Sequence, residues 1–178
     1  MIESNGDMDS SLGDRTPGSK SVDRRLYALL GLATILGVGH HVDHVVRGNH
    51  VGWPLIPEVT GFTVSLLIYP LIAVGLYLTL TERVGAGYWA AVITPAVLYV
   101  TAAHFGPWAL EPPADVIGPY ENEVVGYAAF AWLLAQVATM FVTAVYATHR
   151  WWLAREAAIP QGRGNDRIDG FDHEHDER

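Results

Sequence analysis

The amino-acid sequence predicts an all-α integral membrane protein, a four-transmembrane-helix bundle with disordered polar N- and C-terminal tails. Three observations carry this reading. Half of the 178 residues are hydrophobic and only 17% are charged, well short of the roughly 25% charge of ordinary soluble domains. The charge is displaced to the ends, since five acidic residues precede Leu26 and seven follow His149, out of 19 in all. Between the ends lie four apolar stretches of about 20 residues each, and at ~1.5 Å of rise per residue a helix of that length crosses a ~30 Å hydrocarbon layer. Continuous apolar runs exclude alternating barrel strands, and only helices or closed barrels satisfy the backbone in lipid.

Residues 1–23 (MIESNGDMDSSLGDRTPGSKSVD) are rich in Ser, Gly and Asp, so they bury too little surface to offset their ordering and are expected to form a disordered cytoplasmic tail. They contain no early apolar core with a small-residue cleavage site, so the first apolar helix is expected to act as an uncleaved signal anchor. The membrane domain is expected over 24–155, with spans near 26–46, 59–81, 88–105 and 124–148. The first span follows Arg24 and Arg25 and is the weakest by hydropathy, because its last third reads HHVDH. Pro70 and Pro95 fall inside the second and third spans and should kink them unless neighbours take up the freed carbonyls. Residues 156–178, which end FDHEHDER, are expected to form a second disordered tail, whose His173 and His175 are more simply solvated than metal-binding. No internal repeat is visible, which argues against a transporter built from duplicated halves.

Orientation follows from the basic residues near the helix ends. Lys20, Arg24, Arg25, Arg83, Arg150 and Arg155 fall on one side and Arg47 on the other, which predicts a multi-pass protein of the cell membrane with both termini cytoplasmic. Trp53 and Trp108 would then mark the outer interface, and Trp89, Trp151 and Trp152 the inner one. The chain has no cysteine, which excludes disulfides, thiolate metal sites, Cys nucleophiles and iron–sulfur clusters. A net charge of -8 with one lysine excludes nucleic acid as a partner. The lipid bilayer is the expected partner. Gly31, Ala33, Gly37 and Gly39 on the first span would let a second copy or another membrane subunit approach closely.

The chemistry is concentrated in GHHVDHVVRGNH, which covers His40, His41, Asp43, His44, Arg47 and His50. At about 100° per residue, His40, Asp43, His44 and Arg47 share one helical stripe, while His41 points about 60° away from His44. Ionisable groups inside a span face the bundle interior or each other, because lipid exposure is costly. Depth adds a partner: His40 and His44 lie ~21 and ~27 Å along the first span and His104 lies ~24 Å along the third. On the fourth span Trp132, Gln136, Thr139 and Thr143 form a semi-polar stripe, of which only the first two approach that level.

Two histidines four apart on one helix with a third from another suit a divalent metal ion, with Asp43 as a further ligand or acceptor and His41 and His50 as second choices. Facing histidines at one depth also suit b-type haem. A site of three imidazoles should lose its ion near pH ~5, as they protonate. The simpler alternative is a polar plug in which Asp43 and Arg47 neutralise each other as an i,i+4 pair. The two outer connections would cover this site, the first with His50, Trp53 and Glu58 and the second with Glu111, Asp115, Tyr120, Glu121 and Glu123, giving an acidic face that attracts cations. The HHVDH spelling is similar to the histidine boxes of membrane di-iron hydroxylases and desaturases, but those use several boxes on the cytosolic side, and one box on the outer side implies none of their chemistry. The residues thus leave three classes open: a metal enzyme, a cation or proton carrier, and an accessory subunit of a larger membrane complex without chemistry of its own.

Overall fold

The computed structural model describes residues 22–48 and 58–159, and every regular element among them is helical. In chain order these are α1 (Arg24–Arg47), α2 (Gly61–Ser65), α3 (Ile68–Leu80), α4 (Ala86–His104), α5 (Pro113–Ile117) and α6 (Glu123–Ala157). Four helical segments are long and apolar enough to cross a membrane: α1, α2 with α3, α4 and α6.

Each boundary has a local cause. Asp23 caps α1 by accepting from the Leu26 N–H at 3.0 Å, so the last residue of the expected N-terminal tail is ordered as a helix cap. Gly48 closes the other end in the left-handed region, at φ 59°, with its N–H on the His44 carbonyl, the conformation that glycine adopts without a Cβ penalty. The second span is broken at Leu66 and Leu67. Pro70 explains the break: it has no N–H for the Leu66 carbonyl, and its ring crowds that carbonyl. Pro95, by contrast, stays inside one continuous α4. The last helix outruns its apolar stretch, continuing past Thr148 to Ala157, because WLAREAA is made mostly of strong helix formers. Residues 1–21 and 160–178 of the expected tails lie outside the described residues.

The apolar core joins α1, α4 and α6. Leu26, Leu30 and Ala33 meet Trp89, Ala90, Ile93 and Val97 and, from α6, Met140, Ala144 and Ala147. Trp89 is therefore not an interface residue as its sequence position suggests: it is fully buried and donates to Thr79 Oγ at 3.0 Å, since an indole N–H finds a partner when buried. Trp151 and Trp152 remain exposed near the same end. The small residues of α1 mostly serve this chain. A Cβ on Gly39 would lie 2.6 Å from the Trp132 indole, whose N–H donates to the Leu36 carbonyl at 2.8 Å, and Gly37 faces Gln136. Gly31 faces open space. The segment α3 leans on α4 and scarcely meets α1, which leaves a crevice between α1 and the broken span.

Candidate metal centre

The polar stripe of α1 occupies the helix's last two turns, so its side chains emerge above the apolar core. His40 and His44 sit one turn apart, and their Nε2 atoms are 3.2 Å from each other. From α4, His104 points its Nε2 to within 3.2 Å of His40 Nε2. All three rings are buried, at 5%, 8% and 3% exposure, and Phe62 of α2 covers His44 at a ring separation of 5.0 Å. The common level read from helical rise is thus realised as direct contact.

Nitrogens bound to one tetrahedral ion at ~2.0–2.1 Å stand ~3.3–3.4 Å apart, close to the two separations of 3.2 Å that His40 makes with His44 and His104. Protons account for the cluster less well. The Glu111 carbonyl, 2.9 Å from His104 Nδ1, can only accept, so Nδ1 carries the proton and the neutral ring turns a lone pair toward His40. His40 Nε2 holds either one proton or one lone pair, yet it faces two Nε2 atoms. No single proton links all three. The group could hold a metal ion, since its three ligand atoms lie within 4.8 Å of one another.

Glu111 is the neighbour of the cluster that helical geometry could not place. Gly106, at φ 112°, turns the chain back over the end of α4, and the Glu111 N–H then donates to the Ala103 carbonyl at 3.0 Å. A conformation with φ in that range favours glycine. The reversal sets the Glu111 carbonyl on His104, and its Oε2 lies 3.2 Å from His44 Nε2. The residue is 2% exposed and its side chain is held by an ion pair with Arg47. Burial pushes the Glu111 carboxyl above the usual carboxylate range, while the Arg47 guanidinium opposes the shift.

Asp43 does not turn into the histidine cluster. One of its oxygens accepts from Arg47 Nε at 2.8 Å and the other from the Tyr120 hydroxyl. Arg47 also donates to the Asp115 carbonyl at 2.9 Å, so the i,i+4 pair foreseen on α1 is the hub of a network that fastens α1 to the loop around α5. Burial and the bond to Asp43 push the Tyr120 phenol up to about 12. His41 faces elsewhere, with Nε2 2.8 Å from Ser65 Oγ and Nδ1 2.7 Å from the Tyr69 hydroxyl. His50 lies outside the described residues, as do Trp53, His173 and His175. A cavity of about 40 Å³ borders the histidine cluster, where a water-sized occupant needs ~10–15 Å³ on the same measure.

Comparisons with protein families, with curated proteins and with solved structures give no match for this chain.

Proposed function

We propose that this chain is a multi-pass membrane protein that holds one divalent transition-metal ion through His40, His44 and His104, in the outer half of its bundle. The observation that carries the reading is the convergence of three buried Nε2 atoms on one point, from two helices. Glu111, with Oε2 3.2 Å from His44 Nε2, stands beside the group as a further donor. Three imidazoles and one carboxylate form a donor set suited to zinc and other borderline first-row ions. The Glu111 carbonyl fixes the His104 tautomer in the way that outer partners of ligating histidines do.

Charge agrees with a cation. Asp43 and Glu111 set two carboxyl groups against the single guanidinium of Arg47, an excess of acidic over basic groups beside the three rings. An ion is favoured over b-type haem, because a cavity of about 40 Å³ has no room for a macrocycle. A resident ion is favoured over a carried one, because the layer beneath the cluster is the apolar core of Leu30, Ala33, Ile93, Val97 and Met140. Crossing it would strip an ion of every ligand. The basic residues near the span ends support an outer location for this end of the bundle.

The test is elemental analysis of the purified full-length chain after equilibration with Zn²⁺. We expect about one ion per chain, and a loss of affinity on the order of 100-fold or more in His104→Ala, since removing even an outer partner costs 10–100-fold. His41→Ala, whose ring serves Ser65 and Tyr69, should retain the ion. Wild-type protein that binds none, or a His104→Ala variant that binds as well as wild type, would overturn the reading.

A further inference from the structure

Below the metal cluster, the crevice between α1 and the broken second span widens into a cavity of about 270 Å³, near the lower end of the ~300–1,000 Å³ typical of small-molecule sites. Its walls are apolar over most of their length, with Leu30, Ala33, Ile72, Val92, Ala96 and Met140 among them. Its upper end is not: His41, Ser65, Tyr69 and Gln136 line it there. Along α1 the apolar end at Leu30 and the polar end at His41 are separated by 11 residues, or ~16 Å of helix. The cavity is thus itself amphipathic along the membrane normal.

Gln136 gives it a specific demand. The residue is 3% exposed; its Nε2 reaches only Met140 Sδ, at 3.8 Å, and its Oε1 is buried with no hydrogen-bond partner. A buried amide oxygen without a donor is an expense that native interiors avoid. The mouth of the crevice is flanked by exposed apolar side chains, Val64, Leu67 and Leu71, at the level of the spans. Entry is therefore from lipid, not from water. At its upper end the cavity adjoins the histidine cavity, because His41, Ser65, Tyr99 and Val100 line both.

We propose that this cavity binds a single-chain amphiphile with a hydroxyl head, its chain along Leu30, Ile72 and Val92 and its head beside His41 and Ser65, where a turn of the Gln136 amide toward the cavity lets the buried Oε1 accept the O–H. That the bound head faces a metal centre rests on the reading under Proposed function; the binding itself does not. The unpartnered acceptor selects a donor-bearing head over a bare hydrocarbon, and the apolar walls select a chain over a water-soluble alcohol.

The test uses the full-length protein in nanodiscs with a diazirine-bearing long-chain alcohol as the probe, mapping crosslinks by mass spectrometry. We expect labelling of the Ile72 and Val92 to Ala96 peptides, competed by unlabelled long-chain alcohol and roughly tenfold less by the matching alkane, the value of about one hydrogen bond. Gln136→Leu should abolish the preference for alcohol over alkane while the chain still binds, and Ala96→Trp should block both. Labelling spread evenly over lipid-facing Ile35, Leu98 and Phe141, a Gln136→Leu variant that keeps the preference, or crosslinks joining two copies through α1 and α3 would each overturn the proposal. Metal content is measured on the same samples. Specific labelling without metal counts against the metal centre alone, and metal without specific labelling counts against the lipid site alone.

Discussion

Each end of α1 carries an aspartate, an arginine and a tyrosine in contact, and the fold treats the two trios in opposite ways. At the start, Asp23 accepts from Tyr146 at 2.7 Å and pairs with Arg150 at 3.4 Å, with the side chains of Arg150 and Asp23 44% and 31% exposed. At the finish, Asp43 pairs with Arg47 at 2.8 Å and accepts from Tyr120, with the side chains of Arg47 and Asp43 0% and 13% exposed. The first trio is a solvated clasp between α1 and α6, of a kind worth about 0–1 kcal/mol. The second has given up water. A buried guanidinium must recover its solvation from hydrogen bonds, and Arg47 does so by drawing Asp43, Glu111 and the Asp115 carbonyl around it. That arrangement holds the loop carrying Glu111 against the histidines. The same three side-chain types thus serve as a fastener at one end and as the frame of a site at the other, and burial makes the difference.

Removing the arginines separates the two ends most sharply. Arg47→Ala strands the buried Glu111 carboxylate, takes the ion pair from the half-buried Asp43, and should cost about 3–5 kcal/mol, whereas Arg150→Ala should cost less than about 1 kcal/mol. Denaturant unfolding in detergent reads both, and equal losses would erase the distinction. Next in size, Glu111→Gln keeps the shape but removes the carboxylate, and should weaken Zn²⁺ binding about 10–100-fold, where Asp23→Asn should not change it. Isothermal titration decides between them.

The two trios also differ in which pH limit they feel. Tyr120 is raised in the folded state to about 12, so its contribution is complete below the ordinary phenol value near ~10 and is lost as pH rises through the folded value. Alkaline unfolding should therefore shift to lower pH in Tyr120→Phe, with tyrosinate absorbance appearing last at Tyr120 in the wild type. Asp23 behaves in the reverse sense. Although burial raises it, bonds from Tyr146 and the Leu26 N–H, with the Arg150 charge, bring the carboxyl below its ordinary value. Its contribution is present above about pH 4 and is lost as pH falls through the folded value. Asp23→Ala should cost about 1 kcal/mol at neutral pH, mostly the lost helix cap, and should flatten the acid limb of the stability profile.

Much of the site was legible because it obeys helical arithmetic. A four-residue spacing put His40 and His44 on one face, and rise per residue put His104 at their level on a helix whose ends the hydropathy marked. Pro70 announced the break in the second span. What escaped were features set by loops and by partners distant in sequence. Glu111 reaches the cluster only because Gly106 reverses the chain, and nothing in GPWALEPPADVIG gives that direction. Asp43 lay on the stripe of the histidines, so periodicity alone could not tell that Tyr120, 77 residues away, and Arg47 would engage both its oxygens. Gly37 and Gly39 read as a surface for another subunit because a single sequence does not show that Gln136 and Trp132 fill them. Trp89 misled for a related reason, since a tryptophan near a span's end sits at the interface only if no hydroxyl such as Thr79 draws it inward.

The central claim is that His40, His44 and His104 ligate one ion. X-ray absorption at the edge of zinc bound to the full-length protein tests it most directly. The account predicts about four nitrogen or oxygen neighbours at ~2.0–2.1 Å with the outer-shell scattering of three imidazole rings, reduced to two rings in His104→Ala. A shell of oxygens without imidazole scattering, or a spectrum unchanged by His104→Ala, would contradict it.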